Sequence, residues 1–535
     1  MLKALALLPL FLAAPQDLEK ARADLKKAAV DSNPAGVEDA IKRLTSADGK
    51  RAVDILLEGY GECAKELKTH WEEKLRVIQE NQAAPKYDRA LDQKGQAVEA
   101  KIRKVESLKR LIVQALGTFK SDAAVQELVV ELKQRTLGGT GDWTRRAGVS
   151  EALGQIDHPE AVKALLDTAL RDAEPQVRVA AMDALRAKQA GTPEVIAVLV
   201  QSLSSDSWQV KSTAVATLQA LGAKETIEPL IEALAKNDGR LRHEINQALI
   251  AFTGVDKHGD YAAWKAWWDA SKEQVRAGTY KPRKEEQANN QAGAATTFYG
   301  IPIQSRHVVF ILDRSGSMAR PSEWNLSADV ATGVNVPGLD LKPQGNRKID
   351  IARWQLKRAL AMLPDGTEFN LIFYNHQFTA MSEQMVKLNA GSRKQAYEFI
   401  DSLDPTGRTN IYDPLEKGLS MAPTGAGADK LPKAPPNPAV RKTVAGNDKS
   451  EKGHADTVFL LSDGLPNTGQ IPDPEGIIAK VREINRTRKV TINTIGVFAA
   501  GDTEAEGGGR LLKQLADDAG GVYSSGKTAG AKKAP

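Results

Sequence analysis

The stretch His307-Val308-Val309-Phe310-Ile311-Leu312-Asp313-Arg314-Ser315-Gly316-Ser317 decides the fold of the C-terminal half. Its apolar run, with no polar alternation, reads as a strand buried on both faces of a parallel sheet. Directly beyond it one turn carries a carboxylate and two hydroxyls. Two further fragments extend that chemistry: Thr409 in Thr406-Gly407-Arg408-Thr409-Asn410, and Asp463 in Leu460-Leu461-Ser462-Asp463-Gly464. Asp313, Ser315, Ser317, Thr409 and Asp463 together offer five oxygen ligands and no sulfur.

Outward from this strand, residues 298–526 alternate between strand and helix patterns, as a doubly wound α/β sheet requires. Strands are expected at 306–312, 367–374, around 377–388, 456–462, 490–497 and 521–524. Helices are expected at 348–363, 391–403, 411–420, 475–487 and 508–519. In such folds ligands bind at the carboxyl ends of the strands, where strand order reverses. Asp313 and Asp463 each follow a strand end. The segment 423–455, heavy in Gly, Pro, Lys and Ala, reads as a flexible insertion.

On these motifs, in this order, the region resembles a von Willebrand factor type A domain with an intact metal-ion-dependent adhesion site. The resemblance implies a Rossmann-like, mostly parallel sheet. It also implies that Ser315, Ser317 and Thr409 ligate a metal directly or nearly so, while Asp313 and Asp463 act largely through water. Leu511-Leu512-Lys513-Gln514-Leu515-Ala516 and Gly520-Gly521-Val522-Tyr523 look like the family's last helix and strand. Arg408 departs from the pattern, standing where a glycine commonly precedes the threonine.

The donor set points to a hard cation without the family name. Mg2+ prefers six oxygens and keeps waters where the protein supplies few ligands, with Mn2+ or Ca2+ as alternatives. Three of the five donors are neutral, so two carboxylates balance a divalent ion and an open position attracts an Asp or Glu carboxylate of a protein partner. The rival reading makes these side chains ordinary caps of helices and turns.

Enzymatic readings find less support. Gly521 to Thr528 matches the G-x-x-x-x-G-K-[ST] phosphate loop, but no helix of useful length follows it. A hydrolase using Ser315 or Ser317 with His307, His376 or His454 lacks a nucleophile elbow and a ready triad. No His-Glu-x-x-His motif or cysteine pair offers a zinc site.

Residues 16–280 read as helix nearly throughout. Leu67, Trp71, Leu75 and Ile78, then Val98, Ile102, Val105, Leu108 and Ile112, form apolar stripes on either side of a break near Pro85, which predicts a long helical hairpin. A repeat follows. Val177 and Val210, Ala181 and Ala214, and Leu185 and Leu218 all lie 33 residues apart; Leu218 and Leu249 lie 31 apart. Helix pairs at this period stack into a solenoid, and Asp206-Ser207-Trp208-Gln209-Val210-Lys211 resembles HEAT-type repeats. Basic residues recur at Arg146, Arg178, Lys211 and Arg242, with Asp172, Asp206 and Asp238 before three of them. A ladder of ion pairs between neighbouring repeats is the expectation, ahead of a binding stripe. Trp264, Trp267 and Trp268, three of eight tryptophans, read as a cap rather than a stacking platform.

The expected organisation is therefore a targeting segment at 1–15, a helical region at 16–118, a HEAT-like solenoid at 119–270, a linker at 271–297, the α/β domain at 298–526 and a basic tail at 527–535. Lys3, the apolar run Ala4 to Leu12 and small Ala13-Ala14 suggest export to a periplasm or the extracellular space, although Pro15 disfavours cleavage at Ala14. The run is too short to span a bilayer. A net charge of +5 from 73 basic and 68 acidic residues gives no reason to invoke nucleic acid. The single cysteine, Cys63, excludes an internal disulfide and reads as a core residue. The sequence leaves the oligomeric state and the partner's identity open. It points to an exported, non-catalytic protein-binding scaffold. The alternatives are a metal-dependent hydrolase and a structural protein in which only the solenoid binds.

Overall fold

A computed structural model describes residues 15–84, 86–133, 143–282, 296–322, 343–402, 404–421, 455–498 and 505–525. The expected targeting segment apart from Pro15, the insertion at 423–455 apart from Ala455, His454 and the basic tail lie outside them. The chain divides into two compact units, one of Met1–Leu75 with Val98–Ser202, the other of Arg76–Ala97 with Leu203–Pro535.

The first unit is helical. It holds α1 (Pro15–Val30), α2 (Pro34–Thr45), the base of a hairpin formed by α3 (Lys50–Ala83) and α4 (Arg89–Leu116), then α5 (Asp122–Lys133), α6 (Trp143–Gln155), α7 (Pro159–Arg171), α8 (Pro175–Ala187) and α9 (Pro193–Ser202). Prolines open α2, α7, α8 and α9, because a first-turn residue needs no N–H partner and proline presets the helical φ. The His158 ring caps α7 by accepting from Glu160 N. The hairpin's second stripe is buried along its length, from Val98 to Ile112. On α3 the line is displaced from expectation: Leu75 and Ile78 are only half-buried while Lys74 and Val77 go inside. Lys74 is accommodated by a 2.9 Å ion pair with Glu99 and lies over the Trp71 ring.

The ladder of basic residues forms only in part. Arg146 grips Asp172 with two 3.0 Å hydrogen bonds, both groups buried. Arg178 instead donates to Ala169 O. In the second unit Lys211 donates to Asn237 Oδ1 and Arg242 to Asn237 O. These cations, Arg178 and Lys211 half-buried and Arg242 exposed, donate to neutral acceptors, and burial lowers the pKa of Arg178 and Lys211.

The second unit contains the hairpin tip, then α10 (Trp208–Ala220), α11 (Ile227–Leu234), α12 (Gly239–Thr253) and α13 (Tyr261–Arg276). The tryptophans of α13 are buried. Trp264 Nε1 donates to Asn246 Oδ1 and Trp267 Nε1 to the Tyr280 hydroxyl, so these rings serve the core. Helix α13 runs on to Arg276, into the stretch read as linker.

Beyond it lie β1 (Thr297–Phe298), β2 (Ile301–Pro302), β3 (His307–Asp313), α14 (Lys348–Met362), β4 (Glu368–Tyr374), β5 (Phe378–Ala380), β6 (Val386–Lys387), α15 (Ala390–Asp401), α16 (Tyr412–Leu419), β7 (Thr457–Ser462), α17 (Pro474–Arg488), β8 (Thr491–Gly496), α18 (Ala505–Asp518) and β9 (Tyr523–Ser524). The main sheet has the order β5-β4-β3-β7-β8-β9, with β6 also on β4. Strands β4, β3, β7, β8 and β9 are parallel; β5 and β6 are antiparallel. Strand β3 is buried on both faces. Val308, Phe310 and Leu312 join one core with residues of α14 and α15, while Val309 and Ile311 join another with residues of α16, α17 and α18. That split is the period-2 alternation of a strand covered by helices on each side.

Candidate metal centre

The chain leaves β3 for β4 on one side and returns in β7 on the other, so strand order reverses between β3 and β7. Leu312 lies opposite Leu461 in that pair, which brings Asp313 at the end of β3 beside Ser462. Ser462 Oγ donates to Asp313 Oδ2 at 3.0 Å, and Ser315 N donates to Asp313 Oδ1 at 2.7 Å. Ser317 joins the two motifs: its Oγ is 3.0 Å from Ser315 Oγ and donates to Asp463 Oδ1 at 2.6 Å.

Thr409 arrives on a turn three residues ahead of α16. Gly316 N donates to Gly407 O, and Thr406 N to Arg314 O, stitching that turn to the Asp313–Ser317 turn. On its other side Thr409 N donates to Asn467 Oδ1 while Asn467 N donates to Thr409 O. Asp313, Ser315, Thr409 and Asp463 are buried, Ser317 is half-buried, and Gly316, Gly407 and Asn467 around them are exposed. The donors therefore lie beneath an exposed rim.

Two carboxylates at this depth are expensive. Burial first, and the neighbouring Asp463 carboxylate second, push the Asp313 pKa up to about 7 against the hydrogen bonds from Ser315 and Ser462. Lys348, the first residue of α14 and itself buried, donates to Asp463 Oδ2 at 2.9 Å. Sequence reasoning missed it. The one local signal was a cation in a first helical turn, where the helix dipole disfavours positive charge. Ser462 and Asn467 were likewise passed over, although Ser462 stood inside a quoted motif.

The oxygen-only donor set and the partly unneutralised carboxylates fit a hard divalent cation. Of the histidines weighed as catalytic bases, two lie among the described residues. His307 faces Asp456 at 3.7 Å, at the amino end of β3, roughly 20 Å from Asp313 along a seven-residue strand. His376 packs edge-on against Tyr87.

A family model described as HEAT repeats matches residues 105–186 and 162–250. The chain is 25% identical over 209 residues to inter-alpha-trypsin inhibitor heavy chain H3 of Homo sapiens, covering 38% of this chain and 18% of that protein. It is 24% identical over 184 residues to heavy chain H4 of Homo sapiens, covering 34% and 15%. The chain thus spans less than a fifth of the length of these relatives. Among solved structures, a von Willebrand factor type A protein from Catenulispora acidiphila aligns at 17% identity and TM-score 0.25, covering 42% of this chain and 39% of that one. The conserved hypothetical protein BatB from Bacteroides thetaiotaomicron aligns at 12% identity and TM-score 0.25, covering 41% and 89%. The repeat match and the sheet make this a multidomain chain: HEAT repeats followed by a doubly wound α/β domain.

Proposed function

We propose that the chain is an exported, non-catalytic protein-binding scaffold whose α/β domain takes an acidic side chain of a partner through Mg2+. Asp313, Ser315, Ser317, Thr409 and Asp463 would hold the ion, and the HEAT repeats would offer a second protein-binding surface. The observation that carries the reading is the contact of Ser317 with both Ser315 and Asp463, which joins two motifs 146 residues apart at a strand-order reversal. When bound, the ion supplies an electrophilic point for a carboxylate.

The protein's own charges favour such a partner. With Asp313 and Asp463 both ionised around a bound divalent ion and Lys348 adding one positive charge, the centre would be net positive and receptive to an acidic group. Ser315 and Ser317 act as oxygen donors and as each other's neighbours; neither is paired with a histidine in these contacts. Export is supported by Lys3 and the apolar run Ala4 to Leu12. No helix among the described residues is long and apolar enough to cross a membrane.

The test is calorimetric titration of the full chain with MgCl2 in the presence of acetate. Saturable binding is expected, lost in Asp313→Ala and in Asp463→Ala while both variants keep the wild-type circular dichroism. A folded wild-type protein that takes up neither Mg2+ nor Mn2+ would refute the proposal. Turnover of a test ester that disappears in Asp313→Ala would favour the hydrolase instead.

A further inference from the structure

The tip of the α3–α4 hairpin, Arg76–Ala97, belongs to the same compact unit as the α/β domain. It packs against the two loops that carry Thr409 and Asp463. Gln377 Nε2 donates to Asn81 O at 2.7 Å. Tyr87 stands edge-on to His376, ring centroids 5.8 Å apart, and the Arg408 guanidinium lies over the Tyr87 ring at 4.9 Å. Asp92, buried, accepts from Gly469 N at 2.9 Å through Oδ1 and from the Tyr87 hydroxyl at 3.2 Å through Oδ2. The seam borders a small, partly open pocket lined by Val77, Asn81, Asp92, His376 and Gln470.

These contacts reach the metal centre through few links. Gly469 has φ +95°, and a Cβ there would come within 2.1 Å of Asn410 Oδ1, so loop 464–470 lies tightly on the Thr409–Asn410 turn. Asp413 ties the same two segments by accepting from Asn410 Nδ2 and Gln470 N. Asn467, two residues before Gly469, exchanges hydrogen bonds with Thr409 in both directions. Arg408, the residue that departs from the family pattern, thereby acquires a role: its side chain points to the hairpin's tyrosine.

We infer that the hairpin tip is a built-in positioning element for the metal centre, in which Asp92 and Tyr87 hold the loops bearing Thr409 and Asp463 in their ligating arrangement. Partner groups that orient metal ligands from outside commonly change metal affinity by about 10–100-fold. Asp92 acts one step further out, through Gly469, so an effect of about tenfold is expected. The inference rests on the Mg2+ reading above, and its test therefore has an arm that needs no metal.

Full-length wild type, Asp92→Ala, Asp92→Asn and Tyr87→Ala would be compared by amide hydrogen exchange without metal and by Mg2+ calorimetry with acetate. Asp92→Ala and Tyr87→Ala should speed exchange across 464–470 and 405–411, leave α17 and β8 protected, and weaken Mg2+ about tenfold. Asp92→Asn keeps an Oδ1 that accepts from Gly469 N and should restore both readouts. Unchanged exchange and unchanged affinity in folded Asp92→Ala would overturn the inference, as would an Asp92→Asn variant as impaired as Asp92→Ala. If the wild type binds no Mg2+, the proposed function fails, and the exchange arm alone decides whether the tip holds the loops. Should Asp92→Ala fail to fold, Tyr87→Ala carries the same two readouts.

Discussion

Lys348 and Asp463 form an ion pair with almost no access to solvent, and the second oxygen of Asp463 is held by Ser317. Breaking a buried pair by removing one partner commonly costs about 3–5 kcal/mol, because the remaining charge stays unsolvated. Lys348→Met should therefore lower stability in urea unfolding by about 3 kcal/mol, with Mg2+ recovering part of it. A second residue-scale prediction concerns His307. Burial would lower its pKa, but the nearby Asp456 carboxylate, with the charges of Glu368 and Asp238 adding to it, leaves it raised. A raised histidine contributes stability that is fully present below its unfolded pKa of about 6.5 and lost as pH rises through its folded pKa. The melting temperature of wild type should thus fall relative to His307→Gln between pH 6 and pH 8.5; parallel profiles would refute the pairing. At this scale the sequence was unevenly legible. The closeness of Ser315, Ser317 and Asp463 follows from residue type and strand position, both local. Lys348 pairs across 115 positions, and nothing near it announces the partner. The Arg146–Asp172 rung was legible from the repeat, whereas Lys211 turned to Asn237, an acceptor that charge patterning does not flag.

Each long strand and helix of the α/β domain lies within three residues of its expected bounds, because buried parallel strands and amphipathic helices carry different hydrophobic periods. Strands β1 and β2 were not foreseen; two residues are too few to show any period. The α3 stripe failed for another reason, since the Glu99 carboxylate makes a lysine the best inward residue at position 74. The phosphate-loop match at Gly521 is explained by packing: a Cβ there would meet Ile492 O at 2.0 Å, so the glycine permits the approach of β9 to β8. Gly521→Ala should cost about 2 kcal/mol, as overpacking of a rigid contact does. It should also raise hydrogen exchange at Thr494 N, which donates to Val522 O. Unchanged exchange there would count against this account of the edge strand.

At the scale of the molecule, the second unit joins repeat helices to the α/β domain through Arg240. On α12 this residue donates to Asp456 O just ahead of β7, while its guanidinium lies over Trp208 of α10. Removing a charged donor of this kind costs about 1.5–3 kcal/mol. Arg240→Ala should therefore lower the calorimetric transition that includes the sheet and loosen α10 and α12 with it. A sheet that melts at its wild-type temperature while α12 alone exchanges faster would show the two to be energetically separate. The repeat period made the HEAT helices legible, but a period describes neighbours within the repeat and says nothing of a strand start 216 positions further on.

The lone thiol has a practical consequence. Cys63 is fully buried and burial pushes its pKa up to about 11, so at neutral pH little thiolate is available for alkylation. The natural chain is thus close to a silent background for spectroscopy: a cysteine introduced at an exposed position such as Lys86 on the hairpin tip would take a maleimide dye or spin label selectively. Distances from that label to a second one on the α/β domain could then be followed as metal is added, without first removing a native cysteine.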